Sequence, residues 1–297
     1  MDISSTGLRV LRQIAESGSF TAAATRLGYT QSAVSRQAAA LEHSAGTTLF
    51  ERRPDGVRLT ASGLTLLRHA HTILASLAAA ERELTGTVPR TELVRLGAVP
   101  SAGAAILPAA LAHLAKAAPQ ITVTSRESTT PTLIRSLRAG SLDLAVLTSR
   151  PPHRPFDSEL PRLHLETVAD AELVVAVSST GDFAGRTTVH VDELVDAAWI
   201  ATPSSNSEPL LGVWPGLPGR PCVIHSARDW LTKLQLVAGG FGMTTVPSGL
   251  SPMLPPGVSV LRVDGAPPEI RRVLVARLCG HPTPAITAVT QAVISTA

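Results

Sequence analysis

The chain is poor in cysteine, in aromatic residues and in lysine. Two cysteines in 297 residues, Cys222 and Cys279, are too few for a disulfide-stapled scaffold. They read as two reduced thiols or as one regulatory pair. Aromatic residues make up 3% and charged residues 16%, while hydrophobic residues reach 44%. Cores must therefore be aliphatic, and global disorder is excluded. No apolar run approaches the ~18 residues of a membrane helix, and no basic-then-apolar leader opens the chain. A soluble, cytoplasmic protein without membrane contact is expected. A Gly-x-Ser-x-Gly elbow and a phosphate-binding P-loop are both missing. His69 and His71 lie two apart on a helical stretch and face different directions, and His113, His153, His164 and His190 are scattered. Neither an enzyme, nor a metal site, nor a cofactor is expected. Lysine occurs only at 116 and 233, so arginine carries nearly all the positive charge. The net charge is +3 for the whole chain, and residues 1–90 hold ten Arg against seven Asp/Glu. Charge alone is therefore a weak argument for nucleic acid.

What is present is a dense set of helix signals near the start. Leu8, Val10, Leu11, Ile14 and Ala15 follow helical spacing over 4–16, and Ser17-Gly18 stops that helix. Ser19 or Thr21 can cap a second helix that ends at Gly28. Thr30 caps a third, QSAVSRQAAALE. The intervening Gly28-Tyr29-Thr30 has the length of a helix-turn-helix turn. On the third helix Val34, Ala38 and Leu41 share the inward face. Ser32, Ser35, Arg36 and Ala39 lie opposite, with Gln31 at the N-terminal end. Gln and Arg are the residue types that read adenine and guanine edges bidentately. The following TTLFERRPDGVRLT reads strand, turn, strand. It places Arg52, Arg53 and Arg58 where they can meet phosphates, unless one of them pairs with Glu42 or Glu51.

The segment GSFTAAATRLGYTQSAVSRQAAALEHSAGTTLFERRPDGVRLTASG resembles the N-terminal signature of the LysR-type transcriptional regulators. The likeness rests on Ser-Phe before the second helix, Ala-Ala within it, Ala-Val-Ser-Arg in the third, and Leu-Glu, Gly, Leu-Phe, Arg and Leu-Thr onward. It implies DNA contacts from Thr30, Gln31, Ser32, Ser35 and Arg36. Ser32 stands where the family usually has proline, and HSAG replaces a usually acidic stretch.

Residues 61–85 then form a long proline-free helical pattern in which Leu67, Ala70, Leu74, Leu77 and Leu84 recur at coiled-coil-like spacing. By the resemblance this is a dimerisation helix, with residues 87–90 as a hinge. From residue 91 strands and helices alternate, which implies a parallel sheet. Crossings expected near 161–168 and 264–269 divide the remainder into two lobes. The expected division is therefore a winged helix-turn-helix over 1–60, a linker helix and hinge over 61–90, and an effector-binding α/β domain over 91–297. Its lobe I takes about 91–165 and 268–297, and its lobe II about 166–267. That domain resembles the family's effector domain and the periplasmic binding proteins.

Helix N-termini opening into the cleft between such lobes are anion sites. Three loops qualify: Pro100, Ser101 and Ala102; Ser128, Thr129 and Thr130; and Pro203, Ser204 and Ser205. Phe241 and Gly242 line the far side by resemblance, with Arg126 and His225 as counter-charges. The expected function is sequence-specific regulation of transcription, modulated by a small polar or anionic effector. The expected partners are double-stranded promoter DNA, a second copy in a homodimer and a further pairing into a homotetramer, with RNA polymerase beyond them. The alternative is a DNA-binding protein whose sensor domain is vestigial or redox-responsive through Cys222 and Cys279.

Overall fold

The structure, a computed structural model, describes residues 3–54, 56–84, 92–150, 153, 161–202 and 211–297. Three helices open the chain: α1 (Ser5–Ser17), α2 (Phe20–Leu27) and α3 (Gln31–Ala45). Each starts on a hydroxyl and stops on a glycine. Ser4, Ser19 and Thr30 accept from the N–H groups of Gly7, Ala22 and Ala33, and Gly18, Gly28 and Gly46 are left-handed. A cap of this kind is worth about 1 kcal/mol. Helix α3 runs past the expected end at Glu42, because no breaker precedes Gly46. Leu11, Ile14, Ala23, Val34, Leu41 and Leu49 form the aliphatic core of this unit.

A hairpin follows, β1 (Phe50–Arg53) and β2 (Gly56–Leu59), with Glu51 opposite Arg58. Gly56 has φ 134°, and a Cβ there would lie 2.5 Å from the carbonyl oxygen of Gly18. Only glycine lets Val57 donate to that carbonyl, at 2.9 Å, which ties the hairpin to the α1–α2 turn. Helix α4 (Ala61–Leu84) then leads away.

The second part alternates β3 (Glu92–Ala98), α5 (Pro100–Ala117), β4 (Ile121–Glu127), α6 (Thr130–Arg138) and β5 (Leu144–Ser149). Strand β6 (Leu163–Ser178) follows. Next come β7 (Thr188–His190), β8 (Ala198–Ala201), β9 (Cys222–Ser226), α7 (Trp230–Ala238), β10 (Thr244–Pro247) and β11 (Val258–Asp264). Strand β12 (Ile270–Leu278) and α8 (Pro284–Ser295) close the chain. The main sheet runs β4-β3-β5-β12-β6-β11-β7, with β10 also on β6, and β8 and β9 form a separate pair. The expected parallel sheet is found for β4, β3 and β5, whereas β12 lies antiparallel between β5 and β6.

The first crossing differs from expectation. One 16-residue strand, β6, carries the chain through both lobes. It pairs with β12 as far as Glu172 and with β10 from Leu173. The lobes therefore divide at 172/173 rather than at 165/166. The polar run ETVADAE hides this continuity, since its residues are half-buried or exposed. Strands β7 and β11 add to the strands read from the sequence. Lobe I is centred on Leu96, Leu133, Leu144 and Val289, and lobe II on Val175, Trp199 and Leu261. Helix α7 covers the other face of lobe II with Leu234 and Val237 on Ile200 and Val246.

The N-terminal unit rests on lobe I. Helix α1 packs against α6, and Ala139 is buried within the N-terminal aliphatic cluster. The ring of His71 on α4 lies over Gly140, whose φ is 57°.

Candidate nucleic-acid interface and ligand cleft

Helix α3 buries Val34, Ala38 and Leu41 and exposes Gln31, Ser32 and Arg36, with Ser35 half-buried. Thr30 caps the helix and shares a hydrogen bond with the Ser32 hydroxyl, at 3.1 Å. The Gln31 amide donates to the Ser35 hydroxyl at 3.0 Å, which holds it along the exposed face. Arg36 makes no ion pair with a described residue, so its fork is available to a base edge. Tyr29, half-exposed in the turn, adds an aromatic beside this face that the sequence reading left unused.

The three hairpin arginines differ. Arg52 stacks on the Phe20 ring at 5.4 Å, Arg53 pairs with Glu51 at 3.1 Å, and Arg58 is exposed. Glu42 is committed to the backbone instead. Its carboxylate accepts from the N–H groups of Leu49 and Phe50, at 2.8 and 3.1 Å, and so clamps the hairpin to α3.

The apolar row of α4 is divided. Leu67, Ala70 and Leu74 are buried within the chain itself, the latter two against Leu8 of α1. These three cannot also form a seam to a second copy. Leu77 and Leu84 are exposed, and Ile73, absent from the sequence reading, is exposed on the same face.

The edges that the two lobes turn toward each other follow from strand direction. Strands β3, β4 and β5 run parallel to one another and in the direction of β6, so their carboxyl ends face lobe II. Helices α5 and α6 start at that edge, bringing Pro100, Ser101, Ala102, Ser128, Thr129 and Thr130 to one rim. Neither helix has a side-chain cap, unlike α1, α2, α3, α7 and α8. In lobe II, β10 runs antiparallel to β6, and β8 runs alongside β10 with Trp199 opposite Met243. That register carries Thr202 to the level of Val246, hence of Val174, at the lobe boundary. Helix α7 also starts there, since its last residue, Ala238, is bonded to Ser178 at the far end of β6.

The same directions correct part of the expected site. Phe241 and Gly242 precede β10 and lie at the end of lobe II away from lobe I. They do not line the cleft; the Phe241 ring meets His225 edge-on at 6.0 Å. Arg126 donates to Ser141 at 2.9 Å and senses Glu16 of α1 and Arg26, so it faces the N-terminal unit. Pro203, Ser204 and Ser205 lie outside the described residues, as do Asp55 of the hairpin turn and the 87–90 hinge.

The two cysteines are exposed and remote from each other. The Cys279 N–H donates to the Arg162 carbonyl just before β6, while Cys222 lies opposite Ala198, which the register puts at the level of Ser178. The intervening strand residues span on the order of 40 Å, far beyond the ~7 Å that a disulfide bridges. The pair proposed as a redox element cannot form within one chain.

Two family models match. One, described as "Bacterial regulatory helix-turn-helix protein, lysR family", covers residues 6–64, and "LysR substrate binding domain" covers 89–297. A "Probable hydrogen peroxide-inducible genes activator" of Mycobacterium avium is 32% identical over 251 residues, spanning 83% of this chain and 78% of its own. The "HTH-type transcriptional regulator AlsR" of Bacillus subtilis (strain 168) is 27% identical over 285 residues, 90% and 88% of the two chains. Among solved structures, a Corynebacterium glutamicum OxyR C206 mutant superposes with TM-score 0.55 at 24% identity, covering 100% of this chain and 92% of that one. Full-length CbnR in complex with its target DNA superposes with TM-score 0.56 at 21% identity, covering 99% and 100%. These structures share the fold. Among the described residues no helix is long and apolar enough to cross a membrane.

Proposed function

The chain belongs to the LysR family of bacterial transcriptional regulators, and from that premise we propose that it is a dimeric, sequence-specific reader of promoter DNA governed by a small-molecule effector. The observation that carries the reading is the exposed face of α3. Gln31 and Arg36 stand on a capped helix whose other face is fully committed to the core. Thr30, Ser32 and Ser35 hold the N-terminal turn close to the groove, and Arg52, Arg53 and Arg58 take phosphates. Dimerisation uses the Ile73, Leu77 and Leu84 face of α4, and pairing of dimers gives the tetramer. The effector sits between the uncapped starts of α5 and α6 and the carboxyl end of β8. Its binding shifts the lobes and thereby the spacing of the two readers, which requires different affinities for two states.

The names of the mycobacterial relatives raise a peroxide-responsive reading. The separation of Cys222 from Cys279 argues against an intramolecular thiol switch here and favours a bound effector. The test is a gel-shift titration of the full chain on the DNA upstream of its own gene, competed by scrambled DNA. The reading expects poor competition by the scrambled sequence; equal competition overturns it.

A further inference from the structure

Lys233 is one of only two lysines, and its side chain is 3% exposed. It sits in the first turn of α7, at the lobe boundary. Its Nζ donates to the Thr202 hydroxyl at 2.7 Å and lies 5.0 Å from the centre of the Trp230 ring. Among the described residues no carboxylate comes within ion-pairing distance of it. Asp229, four residues before it, is solvent-exposed and spends its carboxylate on the α7 cap, accepting from Thr232 at 2.7 Å. A buried ammonium with one neutral hydrogen bond and a ring face keeps donor capacity and charge unused. Burial accordingly lowers its pKa to about 8, with Asp229 opposing that shift.

The rest of the boundary carries both signs, with Glu172 on β6 and Glu127 at the end of β4 beside several cations. The carboxylates of Asp170 and Glu269 are already taken by Arg272 and Arg271, at 2.8 and 3.0 Å. Arg150, which follows β5 at the rim of lobe I, makes no ion pair with a described residue. Burial and the nearby Arg271 lower its pKa. The uncapped N-termini of α5 and α6 add partial positive charge from lobe I.

We infer that Lys233 and Thr202 form an anion seat in lobe II, and that the effector carries a carboxylate or phosphate oxyanion held there against the α5 and α6 N-termini. The inference rests on the cleft reading proposed above and adds the ligand's chemical class and its main counter-charge. A lysine buried only to fill space would be replaceable by methionine without effect on ligands.

The experiment titrates sodium benzoate, sodium succinate and sodium phosphate at constant ionic strength into the full chain, with benzamide and succinamide as neutral matches. Binding is followed by calorimetry and by thermal melting, and DNA binding is recorded in parallel. The expected result is saturable binding of at least one anion and of neither amide. The carboxylate and phosphate arms separate the two sources of oxyanion. Lys233→Met weakens that binding at least tenfold, and Thr202→Val, which keeps the charge, weakens it several-fold. Failure of all three anions to bind overturns the inference, as does equal affinity in Lys233→Met. If Thr129→Trp abolishes binding while Lys233→Met preserves it, the cleft stands and the anion seat falls. If both variants bind as wild type does, the cleft assignment falls with it.

Discussion

Lowering the pH from 7.5 to 5 should weaken the contact between α4 and lobe I through one imidazole. His71 packs over Gly140, and its Nε2 is buried without a hydrogen-bond partner. Burial, then the positive charges of Arg95 and Arg12, lower its pKa from 6.5 to about 4, with Asp143 opposing. Asp143 acts weakly because it is already held by Arg95 at 2.7 Å. The unfolded chain therefore binds more protons between those two values. Stability from neutral His71 is complete above about 6.5 and is lost progressively as pH falls toward 4. The whole shift corresponds to about 3 kcal/mol, of which about 2 kcal/mol is gone at pH 5. Urea unfolding of the wild type and of His71→Leu at both pH values isolates this contribution, because every other titrating group is common to the two proteins. The wild type should lose about 2 kcal/mol more than the variant. Parallel losses would refute the argument and return His71 to a solvated setting.

Arg36→Ala should cost roughly 1–3 kcal/mol of specific binding and relax the preference at one base position; unchanged discrimination in a selection from randomised sites removes Arg36 from the reading set. Glu42→Ala deletes two charge-assisted hydrogen bonds to the hairpin and should lower stability by about 2–3 kcal/mol, measured by denaturant unfolding. A change below about 0.5 kcal/mol, the scale of an ordinary surface substitution, would show that the clamp is idle. Leu77→Glu should raise the dimer dissociation constant at least tenfold in sedimentation equilibrium; an unchanged value moves the seam off this face of α4.

The N-terminal unit was legible because its signals are local. Ser19, Thr30, Gly28 and Gly46 each act on the backbone within a few residues, and the inward stripe of α3 repeats at helical spacing. The linker helix was legible as a helix but not in its partners. Leu67, Ala70 and Leu74 look the same whether they face α1 or a second copy, and only the docking of α1 decides. The lobe boundary was misplaced because β6 mixes polar and apolar residues, as a strand shared between two lobes does. The cleft was half-legible. The lobe I loops follow strands whose parallel direction the alternation implies. Phe241 and Gly242 look like cleft residues because nothing local reveals that β10 runs toward lobe I. Lys233 is illegible in the sequence, since a single lysine on an amphipathic helix reads as solvated and its partner Thr202 is thirty-one residues away.

In the proposed regulator two copies of α3 read two related half-sites. Nuclease footprinting of the full chain on the DNA upstream of its gene tests it most directly. The expected footprint has two protected half-sites related by a dyad, with centres separated by a multiple of about 10.5 base pairs, and both are lost in Arg36→Ala at the same protein concentration. Even protection along the fragment, or one isolated site untouched by that substitution, would contradict it.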